Sequence, residues 1–519
     1  METLRETAVT DYFSSAQVRA LDAHAIKTLG IPGYTLMTRA AAAALQALRA
    51  RWSAARELLI VCGGGNNGGD GYVLARLALA QGYRCRVLSL VDPARLAGDA
   101  AQAMRELASI GVPIERTAAL DMAALAKACA EADVIVDAML GIGLDRDVEA
   151  PIAGMIELIA ACGRPVIALD IPSGLCADSG RVRGHAIRAA LTVSFVAAKS
   201  GLALGAGPDH TGEVLIDPLG IATSAWPDIT PRLQGITAAA LRVAVHRRAR
   251  DTHKGVAGHL VVIGGGVGMP GAARLAALGA LRAGAGRVTV LCADASMSAV
   301  AAGNAEIMVN RLDALERLAS VSALVAGPGL GRDAWAHDAL DTALAFAAQR
   351  AIPLLLDADA LTVLAQSDRS LPAGTILTPH PGEAVRLLGS APADVQADRL
   401  HALEAMLQRR GGIVVLKGAG TLVGEAGSVP AICLRGGPIL AAPGTGDVLA
   451  GIIGALCGQG VPARRAAEAG VWWHAVTAEQ ATRRSTDTRG ASLDRGLLAS
   501  ELANGLPSVL AELLAGGTL

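Results

Sequence analysis

An α/β protein with two doubly wound domains is the fold this sequence predicts, and three observations predict it. The chain has 519 residues, more than a single core serving roughly 100 to 200 residues accommodates. Between about Ala40 and Val196 short β-branched runs alternate with longer Ala/Leu-rich stretches, the pattern of a parallel sheet covered by helices. The alternation restarts at His259 and continues to Leu416 with different motifs.

Taken in order, Ser15 to Leu29 has apolar residues at helical spacing, and a long helix is expected at Thr38 to Trp52. Leu58 to Cys62 and Cys85 to Leu90 read as strands, Tyr72 to Ala80 and Ala101 to Ile110 as helices. The second series places strands at His259 to Ile263, Arg287 to Leu291, Ala323 to Ala326, Pro353 to Leu356, Gly374 to Leu377 and Ile413 to Leu416. Between the series, Asp217 to Thr237 holds Pro218, Trp226, Pro227 and Pro231 with little periodicity, which marks a linker. The boundary falls near Trp226, giving a first domain over 1–222, a linker over 223–235 and a second domain over 236–519.

Hydrophobic residues make up 52% of the chain and charged residues 18%, with mean hydropathy +0.42, so disorder is excluded as the main state. Forty-six basic against 47 acidic residues leave a net charge of -1, which provides no field for nucleic acid or anionic lipid. The apolar stretch Val448 to Val461 is shorter than the roughly 20 residues a bilayer span needs and is broken by glycines and Gln459. It reads as a buried helix. Met1 to Asp11 has no apolar core of a secretory leader, so a cytoplasmic protein is expected. Cys62, Cys85, Cys129, Cys162, Cys176, Cys292, Cys433 and Cys457 are scattered singly, which favours reduced buried thiols over a metal site. Lysine is scarce, and Lys199, Lys254 and Lys417 each stand by a glycine, where a ligand can approach closely.

In the first domain, Glu57-Leu-Leu-Ile-Val-Cys-Gly-Gly-Gly-Asn-Asn-Gly-Gly-Asp-Gly71 runs a strand into a glycine-rich turn and then a helix. That order suits phosphate binding, because glycine lets backbone N–H groups reach an anion at a helix N-terminus. Gly63, Gly65 and Gly68 also satisfy the weak dinucleotide pattern G-x-G-x-x-G. Asn66, Asn67 and Asp70 argue against a plain dehydrogenase, since the turn carries polar groups for ligand or cation. Two later strands end on carboxylates, Asp137 before Gly141-x-Gly143 and Asp170 before Ile-Pro-Ser173-Gly174. In a parallel sheet such ends gather beside the ligand crevice. With Asn67 and Ser173 they form an oxygen cluster suited to an alkali or alkaline-earth ion and supply an acid/base candidate; each carboxylate could instead cap the next helix.

Gly65-Asn-Asn-Gly-Gly-Asp-Gly71, Asp137 with Gly141 and Gly143, Asp170-Ile-Pro-Ser-Gly174 and Ala198-Lys-Ser-Gly201 together resemble the epimerase domain of the bifunctional NAD(P)H-hydrate repair proteins, over about Asp11 to Leu219. The resemblance implies a Rossmann-like fold and interconversion of the R and S forms of NADHX or NADPHX. It implies that Asn66, Asn67, Gly68, Gly69 and Asp70, and Gly141, Ile142, Gly143, Leu144, Asp145, Arg146 and Asp147, contact the hydrate. It also implies that Asn67, Asp137 and Ser173 hold a potassium ion and that Asp170 contacts substrate as the acid/base. Inversion needs only loss and return of water or ring opening, so a carboxylate suffices. Lys199 reads equally as a helper or as a structural ion-pair partner.

In the second domain, Leu440-Ala-Ala-Pro-Gly-Thr-Gly-Asp447-Val-Leu-Ala-Gly-Ile-Ile453 turns through Gly444, Thr445 and Gly446 into an apolar helix. Amides there can stabilise a transferring phosphoryl group, and Asp447 stands where a base could take a hydroxyl proton; the plainer role is a carboxylate favouring the helix dipole. No Walker motif is present. Leu356-Asp-Ala-Asp359, Thr378-Pro-His-Pro-Gly-Glu383 and Lys417-Gly-Ala-Gly-Thr421 each follow an apolar run and should share one sheet edge. His380, held between prolines, can donate to a substrate or stand as a turn histidine. The turn at Lys417 offers a cation and pliant backbone for phosphates.

These motifs, with His253-Lys-Gly and Gly327-Pro-Gly-Leu-Gly331, resemble the ribokinase-like superfamily and, more narrowly, the dehydratase domain of the same repair proteins, from about Ile236 onward. The resemblance implies that nucleotide sits on Lys417, Gly418, Ala419, Gly420, Thr421 and Gly446, and that Ala273, Gly331, His380 and Asp447 contact the hydrate. It implies ADP as nucleotide, with Mg2+ bridging its phosphates near Asp357, Asp359 and Glu383. Phosphorylating the hydroxyl and expelling phosphate would replace hydroxide, a poor leaving group. Pro443 departs from the pattern and is expected to remove one amide donor from the anion site. The expected partners are NADHX, NADPHX and ADP, with no nucleic acid or membrane, and a homo-oligomer is expected. The alternative functions are a small-molecule kinase of the ribokinase type and a non-catalytic nucleotide-binding or RNA-processing first domain.

Overall fold

In the computed structural model, which describes residues 2–3, 11–222, 226–484 and 494–516, the apolar runs pair in parallel and divide between two units, Met1–Leu233 and Gln234–Leu519. Most of the opening stretch Met1 to Asp11 and residues 223–225 of the expected linker lie outside the described residues.

The first unit holds β1 (Glu57–Cys62), β2 (Arg84–Ser89), β3 (Ile114–Arg116), β4 (Val134–Ala138), β5 (Val166–Leu169), β6 (Leu191–Phe195) and β7 (Glu213–Asp217). They lie in the order β7-β6-β5-β4-β1-β2-β3, all parallel, with Glu2–Thr3 added antiparallel outside β7. Alternation along β1 serves two layers. Leu58, Ile60 and Cys62 pack toward α1 (Ser15–Lys27), α2 (Gly33–Arg51), α3 (Asn66–Ala80) and α4 (Gly98–Ser109). Leu59 and Val61 pack toward α5 (Met122–Glu131) and α6 (Ile152–Cys162). A strand covered on both faces is apolar throughout, as a parallel sheet requires. Chain order reverses between β1 and β4, which opens a crevice at their C-terminal ends.

Two helices begin earlier than their sequence suggests. The long helix starts at Gly33 rather than Thr38, and α3 starts at Asn66 rather than Tyr72, so the polar turn is itself helical. Glycine and Asn are poor helix formers, but here close packing overrides propensity. A Cβ on Gly68 would lie 2.1 Å from the Gly63 carbonyl oxygen, and one on Gly69 would lie 2.5 Å from Met37 Cε. Residues 226–232 carry contacts of the first unit: the Trp226 ring meets Phe13 edge-on at 5.5 Å, and the Arg232 N–H donates to the Tyr12 carbonyl at 2.9 Å.

The second unit holds β8 (Leu233–Gly235), β9 (His259–Ile263), β10 (Arg287–Leu291), β11 (Ile307–Asn310), β12 (Ala323–Ala326), β13 (Leu354–Leu356), β14 (Ile376–Leu377), β15 (Ile413–Leu416), β16 (Thr421–Glu425) and β17 (Ala431–Cys433). The order is β11-β10-β9-β12-β13-β14-β15-β16-β17-β8; β9 to β15 are parallel and β16 runs against both neighbours. Around it pack α7 (Pro270–Arg282), α8 (Ala334–Arg350), α9 (Pro381–Leu388), α10 (Arg399–Arg410), α11 (Thr445–Gly458), α12 (Ala463–Arg484) and α13 (Ala499–Leu514). Helix α11 is apolar all round because it is buried all round, seated on α7 where a Cβ at Gly451 would lie 2.0 Å from the Ala276 carbonyl oxygen. No described helix is long and apolar enough to cross a membrane. The eight cysteines are free thiols, all buried except the half-buried Cys85 and Cys162.

Candidate functional site

At the crevice of the first unit, the loops after β1 and β4 touch. The Gly63 N–H donates to the Ala138 carbonyl at 3.0 Å, and a Cβ on Gly63 would lie 1.8 Å from the Met139 carbonyl oxygen. Around Leu140 the oxygen cluster assembles. Asn67 Nδ2 donates to the Leu140 carbonyl at 2.8 Å, and the Leu140 N–H donates to Ser173 Oγ at 2.8 Å. Ser173 Oγ and N–H donate to the two oxygens of Asp137 at 2.5 and 2.8 Å, with the Met139 N–H adding a third bond at 3.2 Å. Burial raises the Asp137 carboxyl to about 6 against those donors. Asn67 Oδ1 is buried and has no partner. An orphaned buried acceptor beside a carboxylate and a hydroxyl is the arrangement a hard cation completes.

Above this cluster lies a cavity of about 520 Å³ whose walls include Asp22, Asn66, Asn67, Asp70, Asp170 and Lys199. Asp170 and Val196 follow adjacent strands with φ of 67° and 66°, left-handed conformations that are sparse for non-glycine residues and cluster at functional sites. Lys199, fully buried, donates to Asp170 Oδ1, to Ser194 Oγ at 3.0 Å and to the Phe195 carbonyl at 2.7 Å. Its three N–H donors are thereby spent. The ion-pair role left open for Lys199 is therefore the one it takes, with Asp170 as partner. Burial pushes the Asp22 carboxyl up to about 6, with Lys199 opposing and Asp170 adding to the rise. Asp70 is held well above the usual carboxylate range by burial, then by the charges of Asp170 and Asp22.

Of the residues singled out in sequence, Gly141, Ile142, Gly143, Leu144, Asp145 and Arg146 line this cavity and Asp147 does not. Gly68 and Gly69 also stand outside the wall and face helix and strand-end backbone. Gly141 is close-packed for a reason, since a Cβ there would lie 3.3 Å from Asn67 Cβ and 3.9 Å from Asp170 Oδ2. Asp22 was not identified from the sequence; its only local signal is an acid on the apolar-periodic face of α1, between buried Leu21 and Ala25.

In the second unit the strand-end motifs do share one edge. Asp357 follows β13, Thr378 to Glu383 follow β14 and Lys417 follows β15. Lys417 Nζ and Thr378 Oγ1 each donate to Asp357 Oδ1 at 2.7 Å, and Glu383 Oε2 lies 3.9 Å from the same amine. Burial alone would lower the Lys417 amine, and the carboxylates of Asp357, Glu383 and Asp447 outweigh it to give a net rise. Asp447 sits in the first turn of α11 beside Gly446, where a Cβ would lie 3.3 Å from Lys417 Nζ. Burial, then the charge of Asp357, pushes Asp447 up to about 7, and burial does the same for Glu383. His380 caps α9: its Nδ1 accepts from the Gly382 N–H at 3.0 Å and Nε2 lies 3.4 Å from Glu383 Oε1. Its available N–H is thus at Nε2. Gly331, in the loop after β12, faces Met269 of the loop after β9, a Cβ there lying 3.7 Å from Met269 Cε, and its N–H donates to Asp359 Oδ2 at 3.0 Å; Ala273 lies against Gly265, where a Cβ would be 3.3 Å from its own.

The expected loss of a donor at Pro443 is corrected by the capping geometry. Gly444 is the N-cap of α11, at φ 86°, and the Thr445 N–H donates to the Ala442 carbonyl at 3.5 Å, so the first-turn amides left are those of Gly446 and Asp447, and Pro443 lies outside the set. Two supporting residues escaped the sequence reading. His474 Nε2 donates to the Thr445 carbonyl at 2.9 Å, and burial lowers its imidazole to about 4, so it stays neutral. Arg399, almost fully buried, donates to the carbonyls of Leu416, Lys417 and Gly420 at 3.1, 3.2 and 3.4 Å, bracing the β15–β16 turn. Neither carries a local motif; only their buried partners identify them.

Comparison with known proteins matches each unit separately and the chain as a whole. The family described as NAD(P)H-hydrate dehydratase matches residues 260–496, and the YjeF-related protein N-terminus matches residues 33–201. A bifunctional NAD(P)H-hydrate repair enzyme of Coxiella burnetii is 40% identical over 95% of this chain and 98% of its own. One from Escherichia coli K12 is 38% identical over 95% of this chain and 92% of its own. Among solved structures, an ADP/ATP-dependent NAD(P)H-hydrate dehydratase from Bacillus subtilis, co-crystallised with ATP/Mg2+, is 30% identical with TM-score 0.47, covering 54% of this chain and 98% of that one.

Proposed function

The chain belongs to the family of bifunctional NAD(P)H-hydrate repair enzymes, and from that membership we propose how its two sites divide the work. The first unit interconverts the R and S hydrates, and the second dehydrates the S form to NADH or NADPH with ADP as the nucleotide. The division is chemically coherent, because a dehydratase that takes one epimer strands the other unless an epimerase feeds it.

For the first unit, the carrying observation is Asp170 on the cavity wall, anchored by a lysine that has no donor left to move with. Asp170 acts as acid/base, exchanging a proton with the ring hydroxyl. Asn67, Asp137 and Ser173 would hold a potassium ion, a reading supported by the orphaned Asn67 Oδ1 and the all-oxygen donor set. Bound there, K+ supplies fixed positive charge and rigidity to the loops after β1, β4 and β5.

For the second unit, Asp447 takes the proton from the hydroxyl as the phosphoryl group arrives, and the first-turn amides of Gly446 and Asp447 would stabilise its charge. Nucleotide turns the hydroxyl into a phosphate leaving group, and the ring nitrogen assists its departure. Arg399 keeps the Lys417–Gly420 turn open to the nucleotide. Asp357, Asp359 and Glu383 already accept from Lys417, Gly331 and His380, which supports Mg2+ held by the nucleotide phosphates more than by these carboxylates.

The test uses full-length protein, mixed hydrate epimers and ADP, following recovery of reduced-nicotinamide absorbance. Complete recovery is expected. Asp447→Asn should abolish dehydration, by roughly 10²–10⁴-fold, while epimerisation continues; Asp170→Asn should recover only the S fraction. Asn is chosen over Ala because it keeps a hydrogen-bond partner for buried Lys199. Accumulation of a stable phosphorylated product would point instead to a kinase.

A further inference from the structure

We propose that Asp22, on α1, is a second proton-transferring residue of the epimerase cavity, serving the face of the hydrated ring that Asp170 does not. The proposal rests on the reading of this cavity as the epimerase site.

Inversion moves a hydroxyl from one face of a ring carbon to the other. Suppose water leaves and returns. The C–O bond breaks as a carboxylic acid gives its proton to the departing hydroxyl, leaving water and a ring cation with a C=N bond. Water then attacks the opposite face, a new C–O bond forms, and a carboxylate there takes the surplus proton. Atoms and charge balance, and no oxidant enters. Ring opening makes the same demand, because the oxygen is deprotonated on one face and reprotonated on the other. A single anchored carboxylate covers one face.

Asp170 is such an anchored group, on the wall formed by the strand ends. Asp22 stands on the helical wall of the same cavity, with Val18, Arg19 and Ile26 from α1. The two carboxylates and Lys199 are close enough to feel one another's charge. The other charged groups of the cavity wall do not substitute for Asp22. Asp70, on α3, is buried where Asp22 is half-buried, and burial, then the charges of Asp170 and Asp22, hold its carboxyl well above the usual range. Asp99 comes from α4 at the entrance of α2, by Gly33. Asp145 is exposed, as is Arg146. Arg19 is turned toward the Ile142 carbonyl and Ser15 Oγ, both at 3.4 Å. Asp22 itself is half-buried and has no ion pair or side-chain hydrogen bond among the described residues. A carboxylate placed on a cavity wall with no structural partner has nothing to hold in the protein, which leaves the ligand.

The experiment uses the full chain and Asp22→Asn, with R and S hydrates resolved chromatographically and dehydration of the S form measured in the same preparations. Expected is a loss of epimerisation of roughly 10²-fold or more, with KM for the R hydrate changed less than about threefold and S dehydration unchanged. Asp22→Glu should restore part of the rate, and the ionisation near 6 in the parent's epimerisation profile should vanish in Asp22→Asn. Epimerisation within about threefold of the parent, or a loss confined to KM, overturns the proposal. A parent protein that dehydrates S hydrate but never interconverts the epimers sinks the epimerase reading itself, and Asp22's role with it.

Discussion

In the first unit the buried lysine, Lys199, is paired with Asp170, the carboxylate assigned the chemistry. In the second, Lys417 is paired with Asp357, and the carboxylate assigned the chemistry, Asp447, is left among three other acids. Burial is the first cause of the shifted carboxylates and Coulomb's law the second, since one cation cannot satisfy several carboxylates. At the first rim burial pushes up Asp22 and Asp70, against the pull of Lys199. At the second, Asp447 and Glu383 are pushed to about 7. In both sites the lysine lowers, without cancelling, the rise that burial gives the acids it is not paired with.

The largest expected effect is on that pairing. Lys199→Met leaves Asp170 without its cation in a site where the lysine side chain is 1% exposed, against 18% for Lys417. We expect a loss of about 3–5 kcal/mol in denaturant unfolding, the range for breaking a buried pair, and a larger loss for Lys417→Met, because the carboxylate it strands, Asp357, is 2% exposed against 14% for Asp170, and Glu383 and Asp447 lose the same cation. A smaller loss for Lys417→Met would break the comparison. Next in size, Arg399→Gln removes the brace of the β15–β16 turn and should raise the nucleotide KM about tenfold, equivalent to about 1.4 kcal/mol, with epimerisation untouched; a matching fall in both activities would mean general unfolding.

The smallest effect sharpens the electrostatics. Asp447 is raised from an ordinary value near 4 to about 7 in the folded protein, so between those values the folded state holds a proton that the unfolded chain has released. Stability therefore falls as pH rises through the window from about 4 to 7. Asp447→Asn should remove that loss, raising Tm by roughly 2–4 °C at pH 8, about 1 kcal/mol, with little change at pH 4. The same titration predicts that dehydration by the parent falls on the acid side of about 7, where the base becomes protonated. A Tm difference independent of pH would remove Asp447 from this account.

Strand positions were legible from the sequence because β-branched runs between glycines have few other ways to bury themselves: β9, β10, β12 and β15 begin and end where the pattern says. Motif order along the chain carried the family resemblance, since each motif follows a strand and every parallel strand delivers its end to one edge. The start of α3 was not legible, because Asn66 to Gly71 look like a loop until Gly63, Met37 and Ala138 close around them. Nor were Asp22, His474 and Arg399, whose importance lies in what they face.

The sequence by itself determined two α/β sheets, their glycine-rich strand ends and the carboxylates placed there, because periodicity and turn chemistry are local. Only the tertiary structure decided which acid pairs with which lysine, that Lys199 serves Asp170 and Lys417 serves Asp357, and which acids burial raises. The reason is physical: charge states depend on burial and on neighbours from distant segments, and nothing in a one-dimensional pattern records either.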